Sequence, residues 1–169
     1  MRRPVRILPP VLLAAMLCTL PAVAAARDPL GVFEGWGAFR DARPLRCFAI
    51  AEPARRGRRG DWRPFAAVSA WPTLRVRGQL HVRLSAAKRA GTPVYLTIGE
   101  RRFLLASGKA EAWAPDAPGD AAIVAAMRGA SSMSLEAIDL AGRPFADTYR
   151  LRGAASAIDA AALGCLRAG

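Results

Sequence analysis

Gln79-Leu80-His81-Val82-Arg83-Leu84 alternates strictly, placing Leu80, Val82 and Leu84 on one face of a strand and His81 and Arg83 on the other. Similar β-type runs occupy Gly35–Phe39, Leu45–Ala51, Phe65–Trp71, Lys109–Trp113, Met133–Ile138 and Phe145–Leu151. Arg43-Pro44 separates the first two, and Pro72 ends the third. Val94–Ile98 and Arg102–Ala106 flank Gly99-Glu100, the pattern of a β-hairpin. Near Pro118-Gly119 the period lengthens. Asp120 is placed to cap a helix over Ala121–Arg128, with Gly129 as its stop. A second helix is expected over Ala155–Leu163, with Ser156 and Asp159 spaced as a capping box and Gly164 ending it before Cys165. The pattern predicts a mainly β (α+β) domain over residues 27–169. Its expected form is a β-sandwich or partly open barrel of about eight strands with two short helices.

The first 26 residues read differently. Arg2, Arg3 and Arg6 precede an apolar stretch from Ile7 to Leu20, and Ala22-Val23-Ala24 or Ala24-Ala25-Ala26 offers a small-residue cleavage site. That is the layout of a Sec-type signal peptide. An uncleaved anchor would need about 20 apolar residues, whereas this stretch is shorter and broken by Pro9, Pro10 and Pro21. Lipoprotein processing at Cys18 would need a small residue before it, where Leu17 stands. The expected location is periplasmic or secreted.

Export changes how the cysteines are read. Without the leader only Cys47 and Cys165 remain, and in an oxidising compartment two cysteines are first a disulfide. A redox pair would ordinarily show the C-x-x-C spacing absent here. Charge matters next. The whole chain carries +12, and removing the three leader arginines leaves +9. Such a surface favours anionic polymers, lipid head groups or acidic proteins. Yet there are two lysines, one glutamine and no asparagine, so codon bias is a second source of the arginine excess.

Candidate chemistry concentrates in Arg55-Arg56-Gly57-Arg58-Arg59-Gly60-Asp61-Trp62-Arg63. Arg55, Arg56, Arg58, Arg59 and Arg63 are the anion-binding candidates. Trp62 and Trp113 are the stacking candidates, and the competing reading is a solvated loop. His81 is the only histidine. A Ser–His–Asp arrangement would depend on it, and no G-x-S-x-G motif supports one. One histidine with two paired cysteines does not make a zinc set, so no metal and no cofactor is expected. A carboxylate pair drawn from Glu52, Glu100, Glu111, Asp116 and Asp120 leaves a small hydrolase of envelope polymers as the alternative. No nucleic-acid-binding motif accompanies the charge, so no specific nucleic-acid partner is expected.

The leader, the segment Val32-Phe33-Glu34-Gly35-Trp36, the run Cys47-Phe48-Ala49-Ile50-Ala51, a short internal helix and the closing Leu151–Ala160 together resemble the invasion-associated locus B family of bacterial periplasmic or secreted proteins. Members often carry a second cysteine pair, which is absent here. The resemblance implies a β-rich extracytoplasmic protein, without known catalytic residues, linked to the envelope or to host-cell association. It transfers no site residue. The function expected is therefore noncatalytic envelope binding, directed at an anionic component or an envelope protein.

Overall fold

The computed structural model describes residues 27–58 and 60–166; the expected signal peptide and Arg59 lie outside them. Ten strands form one open antiparallel sheet: β1 (Arg27–Phe33), β2 (Trp36–Ala42), β3 (Leu45–Ala51), β4 (Phe65–Trp71), β5 (Val76–Arg83), β6 (Val94–Ile98), β7 (Arg101–Ser107), β8 (Glu111–Trp113), β9 (Ser132–Ile138) and β10 (Pro144–Arg150). Their order is β1-β2-β3-β4-β5-β8-β7-β6-β9-β10. The mainly β, α+β class is as expected, and the sheet does not close into a barrel. Two helices, α1 (Ala117–Gly129) and α2 (Ala154–Leu166), complete it. None of the described helices is long and apolar enough to cross a membrane.

β1 is the strand the pattern did not signal, because Pro29 and Gly31 interrupt it. It is an edge strand, where a proline is tolerated, and its register with β2 shifts between Pro29 and Gly31. Two predicted helix ends also moved. Asp116, not Asp120, caps α1, its carboxylate accepting the Gly119 N–H at 2.7 Å. Asp120 lies in the first turn and accepts the Leu80 N–H at 2.7 Å. β8 pairs with β5 only from His81 to Arg83, so Asp120 continues the bonding past the end of β8. Burial pushes the Asp120 carboxyl above its usual range, while the Leu80 bond pulls it back. α2 runs through Gly164 and Cys165 instead of stopping there. A Cβ at Gly164 would lie 2.4 Å from Leu30, so this glycine permits close helix–strand contact. Ser156 and Asp159 form no capping box: Ser156 sits inside α2, and Asp159 is paired with Arg128 of α1 at 2.6 Å.

Leu80, Val82, Val94, Leu96, Ile98, Met133 and Leu135 are buried and pack with Ile123 and Met127 of α1 and the alanine face of α2. Trp36 is fully buried, and its indole N–H donates to the Arg150 carbonyl at 2.8 Å. That bond draws the start of β2 toward the end of β10, curling the sheet without an edge-to-edge ladder among the described strands. Cys47 on β3 and Cys165 in α2 form the disulfide, with Cα atoms 5.7 Å apart.

Candidate functional site

The arginine-rich segment between β3 and β4 is a strap laid across other elements. Arg55 exchanges backbone hydrogen bonds with Thr148 of β10 at 3.2 and 2.9 Å. The Gly57 N–H donates to Asp147 Oδ1 at 2.8 Å, and the Ser85 N–H donates to the other oxygen of that carboxylate at 2.7 Å. The Arg58 N–H reaches the Ser85 hydroxyl at 3.1 Å. Trp62 donates its indole N–H to the Leu84 carbonyl at 2.8 Å. The strap's glycines serve close approach: a Cβ would come 2.6 Å from the Ala146 nitrogen at Gly57 and 2.3 Å from the Ser85 oxygen at Gly60.

This anchoring divides the arginines. Arg58 turns inward, with Nε 3.2 Å from Asp139 Oδ2, an ion-pair contact without hydrogen-bond alignment, and with a terminal nitrogen donating to the Pro144 carbonyl. Arg56 and Arg63 share Glu52, and Arg63 remains 82% exposed. Arg55 is exposed and forms no ion pair among the described residues. Nearby, Tyr149 is fully buried with an unpartnered hydroxyl. Burial first, and the charge of Asp147 second, raise that phenol well above its ordinary range.

Asp139 closes the β9–β10 turn beneath Arg58. Backbone donation from Arg143 foremost, then the Arg143 and Arg58 guanidiniums, hold its carboxyl below the usual carboxylate range. Arg27 and then Arg46 depress Asp41, and Arg128 depresses Asp159. Their folded values are lowered. Their stabilisation is therefore complete above the unfolded carboxylate value of about 4 and is lost as pH falls through the folded values. Urea unfolding should accordingly show constant stability near neutrality and a decline on acidification below about pH 4. Asp139→Asn should make that decline shallower.

The sheet face turned away from the helices carries a second basic and aromatic assembly. Arg46 lies over Phe48 at 4.2 Å and Trp71 at 5.1 Å, and Arg27 lies over Phe48 at 5.0 Å. Both arginines bind Asp41, at 2.8 and 3.0 Å. Farther along, His81 stacks on Trp113 with ring centroids 5.4 Å apart and meets Phe65 edge-on. Glu111 joins His81 at 2.6 Å and Arg83 at 2.5 Å. The fold thus commits Trp113 to His81 and Trp62 to Leu84, rather than gathering them into one platform. Sequence reasoning missed Ser85, Asp139 and Asp147 as the strap's anchors. An aspartate at the second inward position of an alternating strand, after Phe145 and before Tyr149, was the signal available for Asp147.

The four larger grooves measure about 470–660 Å3. None is lined by two carboxylates. Glu136 stands in one and Glu52 in another, the latter beside Arg63 and Phe65. Of the remaining hydrolase candidates, Glu111 is held by His81 and Arg83, Asp116 caps α1, and Asp120 serves Leu80. Glu100 sits exposed in the β6–β7 turn. No group of three or more possible metal ligands occurs among the described residues.

A mainly β domain with one curled sheet, a helical inner layer and a disulfide-tied last helix is the class this geometry defines. The fold is similar to that of one solved structure, invasion associated protein B from Bartonella henselae, with a TM-score of 0.55 and 16% sequence identity. The match covers 79% of this chain and 96% of that one. The resemblance read from the sequence is thus matched in the fold. No protein-family model and no curated protein matches the chain.

Proposed function

We propose that this is a noncatalytic accessory protein of the bacterial envelope, exported to the periplasm or secreted, whose strap contacts an anionic envelope polymer. One observation carries the reading: Arg55, Arg56 and Arg63 are exposed on the strap, Arg56 and Arg63 share one carboxylate, Glu52, and Arg55 forms no ion pair among the described residues. Even with Asp61 counted beside Glu52, the three exposed guanidiniums outnumber the strap's acids. The backbone holding them is fixed to β10 and to the β5–β6 connection, so little ordering entropy is lost on binding. The leader pattern and the disulfide support an oxidising location. Similarity to an invasion-associated protein is compatible with envelope work.

Heparin chromatography tests the contact surface. The triple variant Arg55→Ser, Arg56→Ser, Arg63→Ser should elute at lower salt with an unchanged circular dichroism spectrum. The slope of log affinity against log salt should shrink by roughly two to three units if each arginine displaces about one counterion. Unchanged elution of the folded variant would remove the strap as the contact. Arg58 is left out of the set because its replacement would remove one of the two guanidiniums paired with the buried Asp139.

A further inference from the structure

The largest of the grooves, about 660 Å3, lies at the other end of β3–β5 from the strap. Cys47 pairs with Ala70 at this end, whereas Ala51 and Ala66 mark the strap end. The groove runs between the turn joining β4 to β5 and the last turn of α2, with Pro72, Val76, Ala162 and Leu166 among its walls. A void of about 30 Å3 beside the disulfide adjoins it through Ala70, Gly78 and Ala162.

Its rim is apolar and cationic at once. Leu166 in its wall is 74% exposed, and Leu74 and Leu163, the chain neighbours of the lining residues Arg75 and Ala162, are 67% and 51% exposed; the three are half of the six exposed large apolar side chains among the described residues. Arg75 and Arg77 line the groove, neither forms an ion pair with a described carboxylate, and no acidic residue lines it. Arg75 has a left-handed backbone with φ of 55°, its N–H bonded to the Pro72 carbonyl, so the Leu74–Arg75 tip is fixed in place. Arg27 stands at this same end, through its pairing with Asp41 and that of Asp41 with Arg46.

Clustered aliphatic side chains beside unpaired arginines are complementary to a surface that is apolar beneath and anionic above. We propose that this end of the molecule seats on an anionic lipid surface. Leu74, Leu163 and Leu166 enter the acyl boundary, and Arg75 and Arg77 meet lipid phosphates. The surface is separate from the strap and does not depend on polymer binding there.

Flotation of the mature chain with two kinds of vesicle tests this: phosphatidylcholine alone, and phosphatidylcholine mixed equally with phosphatidylglycerol. Binding is expected to the mixed vesicles only. Arg75→Asn with Arg77→Gln should weaken it roughly thirtyfold at low salt; asparagine suits the left-handed position. Leu74→Ser with Leu166→Ser should weaken it at least about tenfold. All these side chains are exposed, and circular dichroism with a thiol assay checks that each variant is folded and disulfide-bonded. The strap triple variant should keep vesicle binding within about twofold, and the groove variants should keep heparin retention. Absence of binding, equal binding to both vesicles, or retention in both groove variants would overturn the proposal. Equal loss in the strap variant would also overturn it, because net charge alone would then explain the attraction.

Discussion

Replacing Cys47 and Cys165 together by alanine is expected to lower stability by about 4–5 kcal/mol, the largest effect of any substitution pair considered. The bridge spans 118 positions, and the chain-entropy relation assigns a loop of that length about 4–5 kcal/mol before native-state strain is deducted. Local packing offers little to offset the loss. The buried face of α2 consists mainly of Ala154, Ala157, Ile158, Ala161, Gly164 and Cys165, and alanines bury little area each, so the covalent tie carries an unusual share of the docking. For a domain near this size, each kcal/mol moves the melting temperature by about 2–4 °C or slightly more. A fall of roughly 10–15 °C should appear in thermal melts of the double variant and of the reduced parent alike. Hydrogen exchange should show α2 losing protection before β3–β5, because the bridge is its strongest link to the sheet. A melting temperature within 2–3 °C of the parent would show that helix packing alone holds α2.

Such packing is also where sequence and structure parted. The β-type runs Leu45–Ala51 and Phe65–Trp71 were legible to the residue, because Pro44 stands just before the first and Pro72 just after the second. The Gly99-Glu100 hairpin was equally legible, since glycine at a φ of 57° is what the tight turn requires. β1 was not, because its pairing is sustained by β2 and by α2 packing on Leu30, while its own Pro29 and Gly31 argue locally against a strand. Gly164 misled for a related reason: a glycine near a helix end resembles a stop, and only the nearness of Leu30 reveals it as a packing contact. The strap was found as a charge cluster, but its division into outward Arg55, Arg56 and Arg63 and inward Arg58 depends on Asp139, 81 positions away from Arg58. The lipid-facing rim joins Leu74 to Leu166, which no local window relates.

Asp147→Ala should be the most damaging single change outside the disulfide, and it links the fold to the proposed contact surface. Asp147 is fully buried on β10, and its two oxygens accept the N–H groups of Gly57 and Ser85. Removing the carboxylate leaves two backbone donors without acceptors, at about 1–3 kcal/mol each. A total of roughly 2–6 kcal/mol follows if the strap stays in place. Should the strap lift away, water satisfies those donors, but the bonds of Arg55, Arg58 and Trp62 to the body are put at risk with them. Asp147→Asn is the milder companion: its carbonyl retains one bond, while its amide faces the other N–H and repels it. Urea unfolding measures the stability loss, and hydrogen exchange at Gly57 and Ser85 reports whether the strap has detached. If ordering of the strap underlies anion binding, Asp147→Ala should elute earlier from heparin although every arginine remains. Vesicle flotation through the Leu74–Leu166 end should change little, since that surface lies at the other end of β3–β5. Stability within about 1 kcal/mol of the parent, with Gly57 still protected, would show that Thr148 and Ser85 hold the strap without Asp147.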